Sequence, residues 1–355
     1  MKHIIFCSAV MATFIIDNPQ CGGNRVERAQ IAAIYLENNY HDQALLEARR
    51  ALREEGPQAE LQLIIALAHM GLGEDFAALE VLVNAIELDP ANDQLHGALR
   101  SLCEKEAIRT EARSALIKLR NEKPPHATML ATAAWIELQL AQEIRSMTLL
   151  DSAIAIDPNY LYARVERSRM AHKNADLVRA ESELREALRI APNQPRLLIA
   201  LGEVQLKQTH TASADSAFAQ ALLHDDSINI AAHIAHIYSE QNHAKRAIEY
   251  YEHAIERAPE NARLLNNLAW SYAETGIELE RATRLSLRSL QLDGENPVYM
   301  DTYAELLYLQ KRYAHAFAVI RRALDIESLE QSEYSDHLRN QYRKMERALS
   351  PRASM

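Results

Sequence analysis

Three histidines within eleven residues, His233, His236 and His243, are the side chains whose type and spacing come nearest to metal chemistry in this sequence. His233 and His236 stand three apart, as two ligands on one helical face would. A zinc site needs further ligands at motif spacing, and neither HExxH nor a CxxC pair is present. They read as two imidazoles able to hydrogen-bond or titrate. The cysteines Cys7, Cys21 and Cys103 are odd in number and lack metal-ligand spacing. Nucleophilic and phosphate-binding chemistry has no better candidate: there is no P-loop, GxGxxG or GxSxG, and Gly71-x-Gly73 reads as a turn. Paired carboxylates such as Glu54-Glu55 fall at a helix end and face solvent. No catalytic, cofactor-binding or metal-binding residue is expected, and a metal-dependent enzyme is the most remote reading.

The elements that could position side chains are helices. The 355 residues hold only 9 Gly and 11 Pro, with 48% apolar and 25% charged types. Average usage would give roughly 25 Gly and 18 Pro. So few tight turns disfavour large sandwiches and Gly-loop nucleotide folds, and the apolar content excludes a disordered chain. A net charge of -10 repels phosphate backbones, so no nucleic-acid partner is expected.

Prolines mark a period. Pro90, Pro124, Pro158 and Pro192 stand 34 apart and end phrases of one shape, AIELDP, AIAIDP and ALRIAP among them, with AIERAP following at Pro259. Asp226, Gly56, Gly294 and Ser328 fill the remaining places and give nine units. With the proline at place 32, places 8, 20 and 27 should be small where two antiparallel helices cross closely. Twenty-five of those twenty-seven residues are Ala, Ser or Gly; Ala66, Ala78 and Ala85 are one set, Gly202, Ala214 and Ala221 another. Only Arg100 and Leu119 break the rule. Both lie in the third unit, which therefore reads as a degenerate repeat with less closely packed helices. Large residues fill places 7 and 24, as in Leu201 with Phe218 and Ile234 with Tyr251.

This pattern resembles the tetratricopeptide repeat (TPR) family over residues 25 to about 330, most fully in 228–261 and 262–296. The resemblance implies an all-α fold: a right-handed α-α superhelix, or solenoid, of about nine helical hairpins. It also implies that places 2, 5, 6, 9, 12 and 13 of the first helix of each hairpin line a concave groove. In the second repeat those places hold Leu63, Ile64, Leu67 and Met70, an apolar inner patch. Farther along they offer Trp135, Tyr162, Arg169, Lys173, Arg196, Lys207, His233, His236, Asn267 and Trp270, the expected partner-binding residues. Such a surface suits an extended peptide or a partner helix, with Trp and Arg as anchors. The Lys and Asn clamp by which some family members hold a C-terminal carboxylate is absent. Arg164 and Arg167 occupy places 4 and 7, where large apolar residues are usual. A buried arginine needs a partner, so an acid such as Glu183 is expected to pair there, the alternatives being a rotated helix or an arginine that faces a partner protein.

Residues 331–355 lose the small-place pattern. Tyr334, Leu338, Tyr342, Met345 and Leu349 form one apolar stripe on a charged helix, expected to cap the last repeat. Residues 1–24 form a leader: Ile4 to Ile16 is a thirteen-residue, largely apolar run behind Lys2, too short to span a bilayer but of signal-peptide length. Cys21-Gly22-Gly23 resembles the start of a mature bacterial lipoprotein, although Asn18-Pro19-Gln20 departs from that family's lipobox. The reading is a non-catalytic scaffold that binds a protein or peptide in its groove. It is exported to, or membrane-tethered through its leader in, a bacterial envelope; the alternatives are a leader that packs as an N-terminal cap in a cytoplasmic protein, and a self-associating solenoid without a peptide ligand.

Overall fold

The computed structural model describes residues 28–330 and 334–349, so the leader lies outside the described residues. Every described element is a helix. Nineteen of them, and no strand, are found among the described residues. They divide into two compact units between Ile190 and Ala191.

The first unit contains five hairpins: α1 (Arg28–Glu37) with α2 (His41–Glu55), α3 (Ala59–Leu72) with α4 (Asp75–Leu88), α5 (Asp93–Leu102) with α6 (Glu106–Glu122), α7 (Ala127–Gln139) with α8 (Glu143–Ile156), and α9 (Leu161–Lys173) with α10 (Leu177–Ile190). The second contains four: α11 (Pro195–Lys207) with α12 (Thr211–His224), α13 (Ile228–Glu240) with α14 (Ala244–Arg257), α15 (Ala262–Thr275) with α16 (Leu279–Leu292), and α17 (Pro297–Leu309) with α18 (Tyr313–Glu330). A last helix, α19 (Tyr334–Leu349), follows them.

All twenty-five small residues at places 8, 20 and 27 are buried, most of them completely. They let the helix backbones approach, while larger side chains fill the layer around them. Gly202 shows how tight the fit is: a Cβ there would stand 2.5 Å from the ring of Phe218, which packs edge-on against Tyr238 at 5.1 Å.

Eight of the nine hairpins turn in one way. The residue at place 15 adopts the left-handed conformation: Asn39, Gly73, Ala141, Ala175, Thr209, Asn242, Gly276 and Lys311. In seven of them the next N–H reaches back to the carbonyl five residues earlier, as from Gln142 to Glu137 and from His243 to Tyr238. The third hairpin lacks this turn. Its α5 ends at Cys103 in the right-handed region, and α5 and α6 are the one hairpin pair that does not pack closely among the described residues. Instead α6 lies against α4 and α7. Arg100 and Leu119, the two large residues at small places, belong to this pair, so the irregularity in sequence is a real opening in the packing.

Polar ties at place 11 join successive hairpins. Arg113 Nε donates to Glu137 Oε1 at 2.7 Å in the first unit. In the second, the Tyr238 hydroxyl donates to Asp215, which Arg246 also holds at 2.8 Å, and the Tyr272 hydroxyl donates to Glu252 at 2.7 Å. Helix α19 buries Leu338 and Met345 against Leu307, Ile320 and Ala323. Tyr334 and His337 meet Asp301 Oδ2 at 2.7 and 2.8 Å, and Lys344 donates to Glu305 at 2.5 Å.

Candidate functional site

The first helix of each hairpin carries the candidate residues, and the two units present them separately. In the first unit Trp135 is half-buried, its ring packed on the cluster that includes Leu99, Met129 and Ile136. Tyr162, on α9, is also half-buried. Arg169 is exposed and donates through Nη2 to Glu166 at 2.6 Å; Lys173 is exposed and bonded to Glu143. The apolar patch expected in the second repeat is not a surface. Leu63 and Ile64 are buried at 1% and 0% exposure, because those places pack between neighbouring helices, Leu63 beside Leu95 and Leu99, Ile64 beside Ala33 and Leu36.

Tyr162 belongs to a network that spans three hairpins. The guanidinium of Arg100 lies 4.2 Å from the centre of the Tyr162 ring and donates through Nη1 to Thr132 Oγ1 at 2.9 Å. Beside it, the Tyr160 hydroxyl donates to Asp93 Oδ1 at 2.6 Å. Burial, reinforced at Tyr160 by Asp93, pushes both phenols well above their ordinary range, so both remain protonated. Asp93, Asn159, Tyr160, Leu161, Tyr162 and Val165 line an open cleft of about 470 Å³. Under this network His96 is fully buried, its Nε2 3.0 Å from the Pro90 carbonyl, which Thr128 Oγ1 also reaches at 2.7 Å. Burial holds the His96 imidazole down at about 4, so it is neutral.

In the second unit Arg196 is exposed at the start of α11, directly after Pro195. Lys207 pairs with Glu203 one helical turn away at 3.1 Å. His233 and His236 are exposed, and His236 Nε2 stands 3.4 Å from Glu240. No group of three or more His, Cys, Asp or Glu side chains is placed to hold a metal ion among the described residues. Asn267 donates to the Tyr251 hydroxyl at 3.4 Å. Trp270 is half-buried; burial raises the carboxyl of Glu274, an effect that a hydrogen bond with Trp270 partly offsets. Glu274 and Thr275 form one wall of a cleft of about 450 Å³ whose other wall is Asn242 to Arg246.

The expected pairing of the anomalous arginines is present. Arg164 Nη1 lies 2.9 Å from Glu183 Oε2, and Arg167 Nε lies 3.3 Å from Glu183 Oε1, with Asp151 on the other side of Arg167. Each guanidinium side chain keeps only 11–12% exposure. Sequence reasoning missed Asp93, Thr132 and Tyr160. Arg100 was visible only as an exception to the small-place rule.

Two family models, both described as tetratricopeptide repeat, match residues 228–261 and 250–283. No curated protein sequence matches the chain. Among solved structures, a chain of the APC/C hetero-tetramer Cut9-Hcn1 is 14% identical over 90% of this chain, at TM-score 0.47; the match spans 64% of that longer chain. The C-terminal part of a TPR repeat-containing protein from Cytophaga hutchinsonii is 14% identical over 77% of this chain and 98% of its own, at TM-score 0.48. YrrB, described as a TPR protein with an unusual peptide-binding site, is 14% identical over 54% of this chain and 97% of its own, at TM-score 0.39.

Proposed function

Because the chain is a tetratricopeptide-repeat protein, we propose that it is a non-catalytic scaffold whose first helices bind a protein or peptide and hold it in a complex. One observation carries this reading. At the places that face away from the hairpin core, half-buried rings stand at Trp135 on α7 and Tyr162 on α9 in the first unit and at Trp270 on α15 in the second, with Arg169, Lys173 and Asn267 on the same helices. Aromatic anchors with a polar surround are what a peptide-binding surface needs. A Trp135→Ala, Arg169→Ala, Trp270→Ala triple variant tests it in a pull-down against wild type. The expected result is loss of partner recovery of about tenfold or more, since each lost anchor costs ~1–2 kcal/mol. Undiminished recovery by a variant with an unchanged helical spectrum would reject these anchors.

Self-association is a second reading with an observation of its own. Phe76, Ile144 and Val178 occupy the same repeat place, 18, in three hairpins of the first unit and are 60%, 85% and 77% exposed. Sedimentation at several concentrations separates it from the first: a mass that rises with concentration and falls on Ile144→Ser, Val178→Ser substitution would favour it.

The bacterial-envelope location rests on the composition of residues 1–24, whose apolar run has signal-peptide length. No helix among the described residues is long and apolar enough to cross a membrane. A reporter fused behind residues 1–24 is expected to leave the bacterial cytoplasm. Full retention would end the envelope reading and favour a cytoplasmic scaffold.

A further inference from the structure

Arg100 and the Arg164–Arg167 pair stand at repeat places built for packing residues, and the fold treats them in opposite ways. Arg164 and Arg167 are neutralised within the first unit by Glu183 and Asp151. Arg100 is not. Its partners are a neutral hydroxyl, Thr132 Oγ1, and the face of the Tyr162 ring; no described carboxylate comes within ion-pair distance. The nearby acids are engaged elsewhere. Glu166 Oε2 takes both Nε and Nη2 of Arg169, at 3.1 and 2.6 Å, and Asp93 Oδ1 takes the Tyr160 hydroxyl. A half-buried guanidinium with one hydroxyl and one aromatic face has donors left over and a charge left uncompensated. The other eight repeats hold Ala, Ser or Gly at this place, all buried, so Arg100 replaces a close helix contact with an unpaired cation.

Three further details point to a ligand. The missing left-handed turn leaves α5 and α6 apart, and the Arg100 side chain spans from α5 to α7 and α9. The centre of the Tyr162 ring lies 4.2 Å from the guanidinium carbon, and a contact of this kind restrains an arginine for carboxylate recognition. Tyr162 also lines the 470 Å³ cleft with Tyr160, Leu161 and Val165, and with Asp93 and Asn159, of which Asp93 is held by the Tyr160 hydroxyl. That cleft can take an apolar side chain beside the charge.

We propose that Arg100, oriented by Thr132 and Tyr162, binds an acidic side chain of the partner peptide, with a neighbouring aromatic or aliphatic residue of that peptide in the Tyr160–Val165 cleft. The proposal rests on the peptide-binding reading above and names its specificity. One guanidinium suits a single carboxylate within a chain, flanked by apolar residues.

The test selects a random peptide display library on the full chain. Wild type is expected to enrich peptides with Asp or Glu next to an aromatic or aliphatic residue. The best such peptide, synthesised, should lose affinity about tenfold on Arg100→Gln and about tenfold when its acid becomes the amide. The two changes together should lose little more than either alone, as a double-mutant cycle on one contact requires. Arg100→Ala, which restores the residue type common at this place, should lose the same acid preference. It guards against misfolding as the cause if its helical spectrum and melting match wild type. Amidating the peptide C-terminus should change nothing; a tenfold loss there would show that the terminal carboxylate is the ligand and would overturn the proposal. Enriched peptides with no acidic position, or additive losses in the cycle, would refute it while leaving the groove reading intact. Failure to enrich any peptide on wild type would count against the groove reading itself, and the proposal would fall with it.

Discussion

Glu183→Leu is expected to destabilise the first unit by about 3–5 kcal/mol, because it leaves the Arg164 and Arg167 guanidiniums without the carboxylate between them. Asp151 would remain beside Arg167, but it is half-exposed and also stands 3.9 Å from Arg179, so it cannot neutralise both arginines. The control is an apolar triple variant, Arg164→Leu, Arg167→Leu, Glu183→Leu. Removing the whole buried network restores the large apolar residues usual at places 4 and 7, and its stability should match or exceed wild type. Urea titration gives the magnitudes, and hydrogen exchange places the loss in α9 and α10. A Glu183→Leu chain as stable as wild type would mean that water reaches both arginines and that the network is not a buried one.

Acid should weaken the first unit through His96. The imidazole is buried against the Pro90 carbonyl, and desolvation, with smaller contributions from Arg100 and His126, lowers it from 6.5 to about 4. Between those values the unfolded chain binds a proton that the folded chain does not. Unfolding free energy therefore falls as pH drops from 6.5 to about 4, and the contribution is fully present above pH 6.5. Across the whole window it amounts to about 3 kcal/mol. His96→Gln, which keeps a hydrogen-bond donor but cannot titrate, should remove that slope. Subtracting its stability from that of wild type at each pH cancels the acid sensitivity that both chains share with their carboxylates. The difference should be flat above pH 7 and fall by about 3 kcal/mol by pH 4. A difference that stays constant across this range would show that the folded state accepts the proton without cost.

Most of the architecture was legible because packing restricts residue size. A position where two backbones cross closely tolerates Ala, Ser or Gly and little else, so twenty-five buried small residues left a period that a single sequence reveals. The turns were less legible. Ala141, Ala175, Thr209 and Lys311 take the left-handed conformation without being Gly or Asn, because the hydrogen bonds that close the hairpin over-determine it. The inner surface was the least legible. Leu63 and Ile64 look like groove residues from their places, yet neighbouring helices cover them. Arg100 and Tyr162 are 62 residues apart, and Asp93 and Tyr160 67 apart. Nothing local announces that α5 will meet α9, since that meeting depends on how the third hairpin fails to close.

The open third hairpin has a consequence for how the chain reaches its fold. Ordinary repeats of this kind can nucleate by themselves, since their two helices are joined by a short turn and gain their first contacts from each other. Helices α5 and α6 have far fewer such contacts to gain from each other. Their main contacts are with other hairpins, α5 with α3, α4 and α7, α6 with α4 and α7. Folding in the first unit is therefore expected to start on both sides of residues 93–122, with this stretch laid down last, as a joint templated from its two ends.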